Sequence, residues 1–164
     1  SFLQDNRTQF THEELVRRRA DQQAQALHRR YQSNNGAAPD WQHLGTFAQA
    51  SNRAVLWDIP NKLALAGDLS GLSQEEREQV YWRMAQYEHR RWNAFHFSRG
   101  WVRLPLEELT VEEREQHKTK HADQRRHICL VDWDALDALP QDRPGILKFY
   151  DYENVVQLLD PQRQ

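Results

Sequence analysis

Apolar residues recur at helical spacing along three stretches of this chain, and the polar residues between them carry start and stop signals. Thr11-His12-Glu13-Glu14 forms a capping box, so a first helix is predicted over 12–32, closed by Ser33-Asn34-Asn35-Gly36. A second helix is predicted from Asp40, carrying Trp41, Leu44, Phe47, Ala48, Val55 and Leu56 on one face. Pro60 lies inside this pattern and predicts a kink or break; the stripe resumes at Leu63 and Leu65 and stops at Gly67. Ser73-Gln74-Glu75-Glu76 repeats the capping box and opens a third helix to about Arg99, with Gly100 as its stop. Its buried face is expected to hold Val80, Met84, Tyr87, Arg91 or Trp92, and Phe95.

Beyond Gly100 the helical period lapses. Trp101 to Leu104 and Ile128 to Val131 read as two short strands that pair as an antiparallel ribbon. Between them Thr110-Val111-Glu112-Glu113 opens a helix that is acidic at its start and basic towards Lys118 and Lys120, in the sense the helix dipole favours. Trp133 to Leu139 reads as a turn or two of helix, Pro140 to Gly145 as loop, and Asp151 to Leu159 as a final helix. The expected fold is mainly α with a small antiparallel β element.

One pattern occurs twice. His28-Arg29-Arg30-Tyr31 returns as His89-Arg90-Arg91-Trp92, and Trp41-Gln42-His43-Leu44 as Trp133-Asp134-Ala135-Leu136. After each, an asparagine leads into an apolar run ending at proline, Asn52 to Pro60 and Asn154 to Pro161. Glu14 and Glu75 stand equally far before the two triplets, and Ala24 falls on Ala85. Two long copies do not make a solenoid. They predict one domain over 12–160 built from two pseudo-symmetric halves, 12–67 and 73–160, after a lead over 1–11. A seam between such halves is a natural place for a small ligand.

Composition narrows the function classes. The 164 residues suffice for one domain with its own core, to which six tryptophans contribute. A net charge of −2 gives no overall pull towards a nucleic-acid polymer or an acidic membrane. No apolar run approaches the ~20 residues of a membrane span, and no apolar leader follows Ser1. The single cysteine, Cys129, precludes an internal disulfide framework and fits a reducing, cytoplasmic setting. A start without methionine leads us to expect a segment of a longer protein.

Glu88-His89-Arg90-Arg91-Trp92, then Gly100-Trp101, then Leu130-Val131-Asp132-Trp133-Asp134-Ala135-Leu136 resembles the repeat of ryanodine receptors and of bacterial proteins carrying the RyR domain. Trp41-x-x-Leu44, Ser51-Asn52-Arg53 and Ile59-Pro60-x-Lys62-Leu63 resemble the stretch preceding that repeat in bacterial members, so the resemblance covers about 12–160. The chain departs from it at Val102-Arg103-Leu104-Pro105, where the family has a Tyr-Gly-Pro turn, at the acidic insertion that follows, and at Asp132 in place of proline. The resemblance implies a non-enzymatic regulatory domain without a cofactor. Its partners would be a small ligand (an adenine nucleotide, or a cyclic or ADP-ribose-type messenger) and other domains of a larger chain. In bacterial relatives those domains include nucleotide-binding or membrane-embedded regions of ion-transport proteins, and the relatives also occur beside genes for nucleotide-based antiviral defence.

The residues permit that chemistry. Trp92 and Trp101 flank a helix stop and offer faces for a base, and Trp41 and Trp133 are the repeated pair. Arg91 and His89 beside Trp92, with Glu88, and Arg53 and Lys62 from the other half offer groups for phosphate and ribose, while Asn52 suits an adenine edge. The same tryptophans equally suit a core, and a helical arginine commonly pairs with a nearby glutamate such as Glu88 or Glu78. Three other chemistries find less support in the chain. His117-x-x-x-His121 with His127 and Cys129 has the ligand types of zinc but lacks the protease glutamate. Glu107, Glu108, Glu112 and Glu113 read as a solvated acidic face rather than a hydrolytic pair, and no glycine-rich phosphate loop occurs. The alternative function is a protein–protein docking or oligomerisation module without a small ligand.

Overall fold

The computed structural model describes residues 21–29 and 39–163. The chain divides into two compact units, 1–60 and 61–164. Among the described residues it is mainly helical, with one small three-stranded mixed sheet.

In the first unit, residues 21–29 are helical (α1). The rest of the helix predicted over 12–32, its capping box and its polar stop lie outside the described residues. The second helix does not begin at Asp40. Asp40 precedes a single 3-10 turn, Trp41–His43, and makes no side-chain cap bond; α2 runs Thr46–Trp57 behind Gly45. The Gln49 side chain explains the interruption, because its amide donates to the carbonyls of both Trp41 and Leu44 and holds the turn against the helix start.

α3, Ile59–Ala66, follows after Asp58, with Pro60 in its first turn where no amide is needed. α4, Gln74–Ser98, is the spine of the second unit, and Ser73 and Glu76 form the expected capping box at its start. It ends as predicted at Gly100, whose φ of +79° lets Trp101 N–H reach the His96 carbonyl and Gly100 N–H the Phe97 carbonyl. Burial follows the predicted face at Val80, Met84 and Phe95, and extends to Tyr81, Ala85, Glu88, His89 and His96. α6, Ile146–Leu159, starts earlier than the predicted Asp151, directly after Gly145, and packs along α4 through Tyr152 and Val155.

The sheet departs from the predicted ribbon. β1 (Val102–Arg103) pairs in parallel with β3 (Arg126–His127), and β2 (Lys120–His121) pairs antiparallel with β3. A parallel pair needs a long crossover, here supplied by residues 104–125. They contain a 3-10 turn, Leu106–Glu108, the short helix α5, Val111–Glu115, and β2. Ile128 to Val131 form no strand. Ile128, Cys129 and Leu130 are all buried, and Ile128 and Cys129 join Leu104, Leu109, Leu136 and Leu139 in a core cluster. α5 keeps its capping box at Thr110 and Glu113 but stops at Glu115, well short of Lys120. His117 adopts a left-handed φ of 52° there, and Lys118 N–H returns to the Glu113 carbonyl. Trp133–Ala138 forms the expected short turn, as 3-10 helix.

Candidate functional site

The middle of α4 gathers most of the predicted residues of the second unit. Lys62, fully enclosed on α3, places Nζ 2.7 Å from Glu88 Oε2. Arg91 grips the same carboxylate in a fork, Nε to Oε2 at 2.8 Å and Nη2 to Oε1 at 2.7 Å. Glu88 is 2% exposed, so one buried anion holds two cations. Such a cluster is worth little over an apolar one but is costly to break, because desolvated charge is left behind.

The next residue, His89, is buried and its Nε2 donates to the Val131 carbonyl at 2.7 Å. Its Nδ1 lies 3.3 Å from Asp151 Oδ2 on α6. Burial pushes the Asp151 carboxyl above the usual carboxylate range, and the hydrogen bond from His89 opposes this. The His89 ring lies 6.0 Å from Trp133, tilted by 57°. Lys148 of α6 covers the outer part of this cluster, 5.0 Å from the Trp133 centroid, and pairs with Asp137 at 2.7 Å.

The first unit contains a similar histidine–tryptophan contact on its own residues. His28 on α1 is buried, and its Nε2 donates to the Pro39 carbonyl at 2.6 Å. The ring lies 6.2 Å from Trp41, tilted by 58°. Arg53 of α2 stands 5.7 Å from the Trp41 centroid and pairs with Asp21. In both units the carbonyl taken is two residues before the tryptophan, the tryptophan opens a 3-10 turn behind an aspartate, and a glycine precedes the next helix. Ala24 and Ala85, paired in the sequence repeat, are both 0% exposed. Asn52 is half-buried on α2.

Trp92 and Trp101 line a second cluster, with two histidines. Trp92 is half-buried, with His96 3.9 Å and His127 4.9 Å from its ring centroid. Trp101 is 7% exposed and meets His96 edge-on at 5.2 Å, so its ring offers solvent no open face. His96 Nδ1 donates to the Trp92 carbonyl at 2.9 Å, and burial holds its pKa down. His127 Nδ1 accepts from Cys129 N–H at 3.0 Å, which puts the proton of the neutral ring on Nε2. Burial, then the charges of His96, Lys120 and His89, lower its pKa to about 3. Burial also raises the Cys129 thiol to about 12, which makes it inert rather than nucleophilic.

Beside this cluster lies an open groove of about 320 Å³ between the C-terminal part of α4 and segment 130–135. Asn93, Phe97, Arg103, Leu130, Asp132 and Ala135 line it, none of which the motif reading named as a ligand-binding residue. Asn93 Nδ2 donates to the Val131 carbonyl at 2.9 Å, the oxygen that His89 also takes. Asn93 Oδ1 is left without a partner, the one such buried side-chain atom among the described residues. An unsatisfied buried acceptor costs about 1–3 kcal/mol. The available signals were Asp132, directly before Trp133, and Asn93, directly after Trp92.

The four candidate zinc ligands do not converge. His117 pairs with Asp142 at 2.6 Å, His121 Nε2 with Glu113 at 2.6 Å, and His127 with the Cys129 amide. Among the described residues no three such side chains are placed to hold a metal. The acidic residues are taken up locally: Glu108 pairs with Arg126, and Glu112 accepts from Gln116 at 3.3 Å. Glu113 binds His121, Lys118 and the Thr110 amide, and these hold its carboxyl down to about 2, the His121 contact most. Among the described residues no helix is long and apolar enough to cross a membrane. Comparison with known proteins finds no matching family, no significantly similar curated protein and no significantly similar solved structure.

Proposed function

We propose that this chain is a non-enzymatic regulatory module of the RyR-domain type, which binds a small nucleotide or nucleotide-derived messenger and reports it to a larger protein on the cytosolic side. The observation that carries the reading is the doubled clasp. His28 with Trp41 and His89 with Trp133 use the same nitrogen, the same carbonyl position and nearly the same ring geometry. This supports the descent of the chain from two similar halves, while the resemblance to that family rests separately on the motifs from Glu88 to Leu136 and from Trp41 to Leu63. The ligand part is supported by the chemistry around α4, where Arg91, His89 and Trp92 lie within one turn of each other. In this account Trp92 is the stacking face, while Trp101 and Lys62 act from the core by fixing the helix end and Glu88. Titration with adenine mononucleotides and ADP-ribose-type compounds, followed by tryptophan emission, tests the reading: saturable quenching supports it.

A second reading, docking to another protein, is favoured by one feature. Trp82 is 42% exposed and stacks on Tyr152 at 4.4 Å, and Phe149 stacks on the same tyrosine at 5.6 Å. Concentration-dependent assembly that Trp82→Glu abolishes, with no effect of any nucleotide, would favour that reading instead.

A further inference from the structure

The polar side chains lining the groove beside α4 all have unused capacity. Arg103 has no ion pair or hydrogen bond among the described residues; neither does the Asp132 carboxylate, although Asp132 sits at a cap position. Asn93 Oδ1 is unpartnered, and Phe97 is 52% exposed. The sheet adds charge. Register places Arg103 and Lys120 on either side of His127, all on one face of the sheet, and Lys120 likewise has no ion pair among the described residues. A pocket with an unneutralised cation at one wall, an unneutralised carboxylate at another and an aromatic face suits a flat ring that carries an anion and a hydrogen-bond donor.

We propose that this groove is the ligand seat, and that its ligand is a nucleoside monophosphate with an amino-substituted base. This rests on the nucleotide reading above and corrects it in one respect: Phe97 and not Trp92 takes the base, because Trp92 does not line the groove. The phosphate meets Arg103, with Lys120 adding long-range attraction. The base lies against Phe97, and its exocyclic amine donates to the exposed Asp132 carboxylate. The volume of about 320 Å³ lies at the small end of ligand pockets, generally ~300–1,000 Å³, so a mononucleotide fits better than a dinucleotide-derived messenger. The groove wall also explains how occupancy is reported. Segment 130–132 is pinned to α4 by two bonds to the Val131 carbonyl, from His89 and Asn93, so a ligand acting on Asp132 or Asn93 acts on the clasp that holds Trp133.

The experiment is a tryptophan-emission titration of the full chain with AMP, IMP, adenosine and inorganic phosphate, repeated on three variants. Ala135→Leu fills the groove from an exposed position, Arg103→Gln removes the cation, and Asp132→Asn removes the carboxylate; circular dichroism checks each fold. The parent is expected to bind AMP at least tenfold more tightly than adenosine or phosphate, and more tightly than IMP. Ala135→Leu should abolish AMP binding, Arg103→Gln weaken it about tenfold and flatten its salt dependence, and Asp132→Asn narrow the preference for AMP over IMP. AMP binding unchanged within about twofold in both Ala135→Leu and Arg103→Gln overturns the groove but leaves the nucleotide reading standing. Adenosine binding as tightly as AMP overturns the role of Arg103. A parent that binds none of the nucleotides overturns the groove and the nucleotide reading together.

Discussion

Replacing Glu88 by glutamine should be among the most damaging single changes in the second unit. The carboxylate, 2% exposed, is the shared counter-charge of Lys62, which is fully enclosed, and of Arg91. Glutamine keeps the shape and leaves the buried Lys62 ammonium and the partly buried Arg91 guanidinium facing a neutral amide. Removing one partner from a buried ion pair costs about 3–5 kcal/mol, a large part of the 5–15 kcal/mol that typically holds a domain folded. Lys62→Met is the informative contrast. It preserves most of the stem and leaves Glu88 its two-pronged bond to Arg91, so it should cost about 1–2 kcal/mol. The assay is urea unfolding of parent and variants, followed by both circular dichroism and tryptophan emission, with the slopes checked for constancy. A Glu88→Gln variant within about 1 kcal/mol of the parent, or a Lys62→Met variant that costs more than Glu88→Gln, would refute the shared-carboxylate argument.

Three further outcomes are expected. His127 takes its proton near 6.5 when unfolded but near 3 when folded, so the unfolded chain binds more protons between these values and stability falls as pH drops through that window, by on the order of 5 kcal/mol. Glu113, held near 2, adds a loss in the same direction below pH 4.5, and His127→Asn should flatten the upper part of a urea-midpoint-against-pH curve. Gly100→Ala should cost about 1 kcal/mol in urea unfolding through its φ of +79° alone, since the added carbon would meet only Arg125 Nη1, at an ordinary 3.5 Å. Cys129 should react with a thiol reagent at mildly alkaline pH only as fast as the second unit opens; labelling in native buffer at the unfolded rate would contradict its burial.

The local devices were legible where they rest on side chains with one clear physical use. Both described capping boxes, the Gly100 stop and the proline in the first turn of α3 follow from residues whose backbone preferences leave little choice. The misreadings arose where tertiary partners decided. Nothing near Glu115 signals a helix end, since a histidine rather than a glycine takes the left-handed position at 117. Ile128 to Leu130 have strand composition, but all three face the core, so the polar pair Arg126–His127 makes the ladder instead. Among the candidate site residues, Lys62, Glu88, His89, Arg91, Trp92 and Trp133 gather around α4, whereas the burial of Trp101 had no local signal. The groove was illegible because Asn93, Phe97, Arg103 and Asp132 come from three separate stretches and form no motif.

Thermal unfolding of the full chain with and without an adenine mononucleotide tests the central claim most directly. A ligand at 100 times its dissociation constant adds about 2.7 kcal/mol to a folded state that alone binds it. For a chain of this length that corresponds to a rise of about 5–10 °C in Tm. The account predicts such a rise, saturating with concentration and absent with inorganic phosphate at the same ionic strength. A Tm that stays unchanged up to millimolar nucleotide would contradict the account.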